Sequence, residues 1–207
     1  MKRFLFRLLA VCLLGAAFWG CVNLGEGTQS KSRFYVLRPL TGEQALAVGH
    51  GDGARIGVGP VRFPEYLGRP QIVIRTGQNK LQVSEFHRWA EPLDENFRRT
   101  LGENLSVLLS TNQIFPHPWL GSTQLDYQVA VDVMRFDGNL GEDVTLTAVW
   151  TIYTEDRKEV LLRERNDYSQ PVKGDSYDAL VLAHGQTLEA LSRDIAAAVK
   201  EIAGKKS

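Results

Sequence analysis

Two segments near the middle of the chain, LDYQVAVDV (residues 125–133) and VTLTAVWTIY (residues 144–153), decide the predicted fold, because apolar and polar side chains alternate along them. A period of two is typical of strands that bury one face of a sheet. Glycine and polar residues at positions 137–141 separate the segments and predict a turn between two strands. Residues 159–165 begin a third strand, so this part of the chain is predicted to form a β-meander.

Shorter strands and a turn are predicted before this meander. Residues 33–37 (RFYVL) and 55–61 (RIGVGPV) predict the first two strands. Pro64 and Gly68 bracket a turn around residues 65–67. Residues 71–76 and 80–83 flank a Gly-Gln-Asn segment, a pattern that indicates a hairpin.

Two helices are predicted from apolar residues that recur every three or four positions. The first begins near Pro92, because proline is favoured at the first helical position and Asp94 and Glu95 suit the positive end of the helix dipole. The second covers residues 177–202. Their apolar stripes consist of Leu93, Phe97, Leu101, Leu105 and Leu108 in the first helix, and Leu180, Leu188, Leu191, Ile195, Val199 and Ile202 in the second. We therefore predict one α+β domain over residues 33–203, a mostly antiparallel sheet with two main helices packed on one face.

The N-terminus, MKRFLFRLLAVCLLGAAFWGC, has the composition of an export signal. Basic residues come first, and residues 8–19 are uncharged, a run shorter than the roughly 20 residues that a bilayer span needs. One interpretation is an ordinary secretory signal followed by an unrelated cysteine. The other is a lipoprotein signal peptide over residues 1–20, in which Gly20 and Cys21 resemble the end of a lipobox and Phe18 and Trp19 are bulkier than usual.

The cysteines favour the lipoprotein interpretation. The chain has two, and Cys12 lies inside the predicted signal, so the mature chain would begin with Cys21 and form no internal disulfide. A thioether from Cys21 to lipid would anchor the protein and remove an exposed thiol. Residues 21–32 then form a lipidated tether, about 18 Å long on average as flexible coil. Val22 stands where aspartate would favour the inner membrane, which predicts the inner leaflet of the outer membrane with the domain in the periplasm.

Charge excludes one class of partner. The chain carries 24 basic and 24 acidic residues, and removal of Lys2, Arg3 and Arg7 with the signal leaves 21 basic against 24 acidic. A nucleic-acid-binding domain is normally basic, so binding to nucleic acid is not expected. The remaining length suits one domain with a sizeable core.

The sequence contains no recognisable catalytic or metal-binding motif. We therefore predict no catalytic residue, no cofactor and no metal. The four histidines, His50, His87, His117 and His184, do not pair at metal-ligand spacing. His184 lies on the apolar face of the last helix and is predicted to be a core or partly exposed histidine rather than a catalytic one. The glycines at residues 49–59 lack the Gly-Lys-Ser/Thr ending of a phosphate loop, and there is no Gly-x-Ser-x-Gly motif.

Residues 60–101 are unusually rich in aromatic residues and arginine, and they allow two interpretations. In the structural one, Trp89 and Leu93 hold the start of the first helix against the sheet. In the functional one, Tyr66, Leu67, Arg69 and Trp89 form a partner or oligomer interface, because tyrosine, tryptophan and arginine often anchor interfaces.

These same residues carry a resemblance to a known family. The chain has Pro-Glu-Tyr-Leu at 64–67 followed by Arg69, then Gln-Ile-Val-Ile-Arg at 71–75 and Arg-Trp-Ala-Glu-Pro-Leu at 88–93. With the lipoprotein signal, Phe-Tyr-Val-Leu near the mature start and the closing amphipathic helix, it resembles the ABC-type transport auxiliary lipoproteins of the PqiC/YmbA type. The resemblance covers nearly the whole chain.

The resemblance implies a non-enzymatic outer-membrane lipoprotein that works with an MCE-domain tunnel protein (PqiB-like), which bridges the periplasm and carries lipid between membranes. It also implies a homo-oligomeric ring that docks this tunnel. Two alternatives stay open on the residues alone. One is a periplasmic ligand-binding or assembly-factor lipoprotein that is not tied to a transporter, and the other is an enzyme with an unrecognised site.

Overall fold

The computed structural model describes residues 31–40, 54–119, 123–154 and 158–205, which form eight strands, two long helices and a short 3-10 turn. The strands are β1 (Arg33–Tyr35), β2 (Ile56–Arg62), β3 (Gln71–Gly77), β4 (Lys80–Trp89), β5 (Ile114–Pro116), β6 (Tyr127–Gly138), β7 (Asp143–Thr154) and β8 (Val160–Pro171). The helices are α1 (Leu93–Leu108) and α2 (Tyr177–Gly204), and the 3-10 turn is Glu65–Leu67. No helix in these ranges is long and apolar enough to cross a membrane. Cys21, the predicted signal peptide and the tether up to residue 30 lie outside the described residues.

Strand β6 lies in the middle of one mixed sheet. One of its edges pairs with β7 along the whole strand, in antiparallel orientation, and β7 pairs with β8 in the same way. Its other edge pairs in parallel with β2 over its first half and with β3 at Gly138. Strands β4 and then β1 extend the sheet beyond β3, and β5 extends it beyond β2. The longest ladders are antiparallel, as the alternating pattern predicts, while the short strands join in parallel.

The core lies between one face of this sheet and the two helices. Alternate side chains of β6 and β7 are buried on this face, among them Val129, Val131, Leu146, Trp150 and Ile152. Helix α2 contacts β6, β7 and β8, while α1 contacts α2, β2 and β5. The rings of Phe97 on α1 and Phe136 on β6 meet edge to face with centroids 5.4 Å apart. The predicted α+β class, with two helices on one face of the sheet, is confirmed.

The segment after β1 is held by side chains of α1. Residues 36–40 follow β1 without strand structure, and the amides of Leu37 and Leu40 donate to the Oδ1 atoms of Asn96 and Asn104, each over 2.7 Å. Two helical turns separate these asparagines, so both lie on one side of α1, and both are buried. Asn104 also donates to Ser192 Oγ on α2 over 3.0 Å. This asparagine pair thus ties the start of the domain to both helices and satisfies buried backbone amides.

Several boundaries differ from those that the sequence predicts. Strand β4 continues past residue 83 to Trp89, because a bulge separates its pairing with β3 at Val83 from that at Arg88 and interrupts the period of two. Strand β5 was not predicted, since three residues carry no periodic signal. Pro92 is the N-cap and Leu93 is the first helical residue. Strand β8 and helix α2 each run further than expected, to Pro171 and Gly204.

Candidate functional site

A buried carboxylate lies on the sheet face opposite the helices. Strand β6 contains a bulge at Met134, because Val133 pairs with Ala148 and Arg135 pairs with Thr147. After this extra residue, Phe136 occupies the position that faces the helices. Arg135 and Asp137 therefore face the other way, and Asp137 is nevertheless fully buried.

Asp137 is buried because donors from three segments surround its two oxygens. Arg75 donates from Nε to Oδ1 over 2.7 Å and from Nη2 to Oδ2 over 2.8 Å. Arg135 Nε donates to Oδ1 and Tyr66 OH donates to Oδ2, both over 2.8 Å. Each carboxylate oxygen thus accepts two hydrogen bonds, and three of the four come from charged groups, which form the stronger class of hydrogen bond. We call Tyr66, Arg75, Arg135 and Asp137 the Asp137 cluster.

The hydrogen bonds fix the protonation states within this cluster. Burial alone would raise the pKa of Asp137, but the hydrogen bonds from Arg75, Tyr66 and Arg135 outweigh it and lower that pKa. Burial, together with the hydrogen bond to Asp137, raises the pKa of Tyr66 to about 12. At neutral pH the carboxyl group is therefore ionised and the phenol keeps its proton. Both guanidinium groups already donate to Asp137. The cluster is therefore better suited to stabilising this surface than to binding a free anion.

An open cleft of about 650 Å³ lies beside the cluster on this helix-free face. Tyr66, Arg75 and Arg135 form part of its wall, together with Met134, whose side chain is 56% exposed. Asn139, Glu142 and Asp143 of the β6–β7 turn line the cleft as well, together with Gly77 and Gln78 of the β3–β4 hairpin. The cleft thus combines tyrosine, arginine and methionine, which are enriched in protein interfaces, with acidic residues, which are depleted there.

The structure separates the four residues that the sequence predicts for an interface. Tyr66 and Leu67 both lie in the 3-10 turn Glu65–Leu67, but Leu67 is buried in the core while Tyr66 is partly exposed. Arg69 is exposed, and its Nε donates to the carbonyl of Tyr66 over 3.1 Å. Trp89, at the end of β4, is buried and meets the ring of His184 edge to face. Tyr66 and Arg69 are thus together at the surface, while Leu67 and Trp89 are core residues.

Four residues at this site were not predicted from the sequence: Arg75, Met134, Arg135 and Asp137. Asp137 precedes Gly-Asn, and this local sequence predicts an exposed turn. Its burial depends instead on a strand bulge and on Arg75, which is 62 positions away, and neither is visible in the local sequence. An arginine in an otherwise apolar strand, Gln-Ile-Val-Ile-Arg at 71–75, is the one local signal that a buried acidic partner exists.

The histidines of the described residues take part in packing. His184 is buried on α2 between the rings of Trp89 and Phe136, and its Nδ1 donates to the carbonyl of Leu180 over 2.9 Å. Burial lowers the pKa of His184 to about 4, so this ring is neutral at physiological pH. His87 stacks on Tyr177 at 3.7 Å and lies within hydrogen-bond distance of Tyr35 OH. His50 lies outside the described residues. Within the described ranges, no group of three or more His, Cys, Asp or Glu side chains is placed to hold a metal ion.

Solved structures share this fold. A crystal structure of an uncharacterized protein superposes with a TM-score of 0.65 at 23% identity, covering 82% of this chain and 99% of the other. A protein from Xanthomonas campestris superposes with a TM-score of 0.64 at 15% identity, covering 84% of this chain and all of the other. At these identities, the likeness concerns the fold alone.

Sequence comparison identifies relatives. The chain is 29% identical over 153 residues to the intermembrane transport lipoprotein PqiC of Escherichia coli K12, which covers 73% of this chain and 74% of that protein. The protein of the same name from Shigella flexneri matches equally well. The pattern of the family described as the ABC-type transport auxiliary lipoprotein component matches residues 35–196, from β1 to the second half of α2. On this evidence, the chain belongs to the ABC-type transport auxiliary lipoprotein family.

Proposed function

We propose that this protein is a non-enzymatic accessory lipoprotein of an MCE-type intermembrane lipid transport system, and that it docks the MCE-domain tunnel protein at the outer membrane. The observation that carries the proposal is the family match over residues 35–196. The relative from Escherichia coli is named an intermembrane transport lipoprotein, which adds the transport between membranes. The proposal assigns no catalytic residue and no cofactor.

In this proposal, lipid on Cys21 anchors the domain to the inner leaflet of the outer membrane. Gly20 before Cys21 supports lipidation of this cysteine. Val22 after it, where aspartate would favour the inner membrane, supports the outer membrane as the location. Two or more acyl chains are needed for stable anchoring, because each buried CH₂ contributes only about 0.8 kcal/mol. The tether then keeps the domain within a few tens of ångströms of the membrane.

The docking surface in this proposal is the helix-free cleft with the turn that carries Tyr66 and Arg69. Tyr66 is held by Asp137, and Arg69 is held by the Tyr66 carbonyl, so both side chains are positioned before a partner arrives. Such preorganisation lowers the entropic cost of association. The proposal also includes a homo-oligomeric ring, in which several copies would present this surface to one tunnel.

The test is co-purification of the full chain, extracted in detergent from its own membranes through a C-terminal tag. We expect an MCE-domain protein among the partners identified by mass spectrometry. We expect Arg69→Ala to reduce this capture. The control is Arg193→Ala, which removes a half-exposed arginine on α2, and we expect it to leave capture unchanged. Recovery of a stable membrane-bound chain without any MCE-domain protein would overturn the proposal and favour a lipoprotein that is not tied to a transporter.

A further inference from the structure

Besides the outer edges of the three-residue strands β1 and β5, two longer stretches of sheet edge carry no partner strand among the described residues. One is the outer edge of β8, which is twelve residues long and pairs only with β7. The other is the first part of β4, because β1 pairs only with His87–Trp89 and no other described strand pairs with residues 80–86 on that side. Unpaired amide and carbonyl groups along an edge form a template for pairing with another strand.

Both edges expose large apolar side chains. On β4, Leu81 is 36% exposed and Val83 is 42% exposed, and on β8, Val160 is 54% exposed. Proteins usually protect an open edge with charges, prolines or bulges. Leu81 and Val83 leave part of the β4 edge without such charges. Charged residues follow Val160 along β8, among them Arg163 and Glu164, so a strand that pairs with β8 must match their charges.

The directions of the two strands permit pairing between neighbouring copies. Strand β8 is antiparallel to β7, which is antiparallel to β6, so β8 and β6 run the same way. Strand β3 is parallel to β6 and β4 is antiparallel to β3, so β4 runs opposite to β8. A second copy in the same orientation would place its β8 antiparallel to the open part of β4. This contact joins two different surfaces, so it repeats from copy to copy and closes into a ring when the rotation permits.

One antiparallel register matches charge and polarity along the edges. When Lys80 lies opposite Glu164, Leu81 lies opposite Arg163 and Val83 lies opposite Leu161. This register pairs a cation with an anion, an aliphatic side chain with the stem of an arginine, and two aliphatic side chains with each other. Each favourable cross-strand pair contributes roughly 0.2–1 kcal/mol relative to alanine.

We propose that copies of this protein associate edge to edge, the open part of β4 in one copy pairing with β8 of the next. The occupant is a second copy of this chain, because each chain supplies both complementary edges. The inference rests on the self-association included in the proposed function, and it names the surface that performs it.

Cysteine cross-linking tests the register in the detergent-extracted full chain. Opposed residues of an antiparallel pair have Cα atoms roughly 4.5–5.5 Å apart, within the span of a disulfide. We expect tagged Leu81→Cys mixed with Arg163→Cys to form an intermolecular disulfide, identified by mass spectrometry so that links through Cys21 are excluded. The matched control is Leu81→Cys with Ser169→Cys, six residues further along β8 and about 20 Å away. Equal linkage in both mixtures, or none in either, would overturn the proposal.

A charge exchange supplies a second test that leaves the fold intact, because Lys80 and Glu164 are both exposed. We expect Lys80→Glu or Glu164→Lys alone to weaken each contact about two- to fivefold and the double variant to recover association, measured by light scattering. Association that persists unchanged in both single variants would assign the contact to another surface. If the tunnel protein still co-purifies while both tests fail, only the edge pairing is wrong. A cross-link from Leu81→Cys to the tunnel protein would also overturn the second copy as occupant.

Discussion

Replacement of Asp137 by asparagine is the sharpest test of how the helix-free face is held. In the native cluster, each carboxylate oxygen accepts two hydrogen bonds, from Arg75, Arg135 and Tyr66. An asparagine side chain has the same shape, but its amide nitrogen must replace one oxygen. With the amide nitrogen at the Oδ1 position, the Nε donors of Arg75 and Arg135 both lose their acceptor. At the Oδ2 position, Arg75 Nη2 loses its acceptor, while the Tyr66 hydroxyl can rotate and accept from the amide. In both orientations the two arginines lose their countercharge.

The cost follows from burial. Removing one partner of a buried ion pair typically destabilises a protein by about 3–5 kcal/mol. The lower end applies here, because Arg75 and Arg135 are 24% and 37% exposed and their guanidinium groups regain water when the carboxylate is lost. About 3 kcal/mol is a large part of the 5–15 kcal/mol by which most domains are stable. It corresponds to a fall in Tm of about 6–12 °C for a chain of this size.

Asp132→Asn provides a matched control on the same strand. Asp132 pairs with Arg62, whose side chain is 71% exposed, and exposed ion pairs contribute only about 0–1 kcal/mol. Thermal and urea denaturation of the three proteins in the same detergent gives the comparison. If Asp137→Asn lowers the free energy of unfolding no more than Asp132→Asn does, the cluster does not hold this face and our account of it is wrong.

The same variant should also alter the response to acid. The folded protein lowers the pKa of Asp137, so the ionised carboxyl group stabilises the fold above its unfolded pKa of about 3.9. This stabilisation is lost as the pH falls through the lower, folded value. The stability difference between the native protein and Asp137→Asn is therefore expected to be constant near neutral pH and to shrink below about pH 4. A difference that grows in acid would contradict the direction of the pKa shift.

Four further substitutions separate anchoring, support of the fold and recognition. Cys21→Ser should move the protein from the membrane fraction to the soluble fraction, and retention after a high-salt wash would exclude the lipid anchor. Trp89→Ala should cost about 3–5 kcal/mol of unfolding free energy, because the indole is buried. Arg69→Ala should change Tm little but weaken capture of the tunnel protein in pull-downs, and full capture would place the docking surface elsewhere. Asn104→Ala should cost about 1–3 kcal/mol, since it leaves the Leu40 amide without its acceptor, and denaturation within 0.5 kcal/mol of the native protein would contradict this.

Local patterns sufficed for the parts of the fold that burial dictates. The alternation in β6 and β7 follows from one buried face, and the stripes on α1 and α2 follow from one packed face each. Strand β5 and the second half of β4 escaped prediction for a different reason. Their strand structure depends on partners that are distant in sequence, β2 for β5 and β1 for the end of β4.

The candidate site was predictable only in part. The concentration of aromatic residues and arginine in residues 60–101 indicated the segment. Tyr66, which lines the cleft, and Arg69 do lie at the surface. Composition did not show that Leu67 points into the core, because a Pro/Gly-bracketed turn usually lies at the surface. Nor did it show that Tyr66 depends on Asp137, whose burial requires the bulge at Met134 to redirect the strand.

Anchoring and the proposed edge pairing meet at strand β4. The described domain begins just before β1, so tension along a lipid tether on Cys21 would enter the fold there. Three ladder pairs hold β1 to β4, and Asn96 and Asn104 hold the residues that follow it. The open part of β4 continues directly from the part that β1 covers. A neighbouring copy bound along residues 80–86 would extend the short ladder at the point where such a tether would pull. Association is therefore expected to protect the amides of β4 from hydrogen exchange more than those of β5, which lies at the end of the other branch of the sheet.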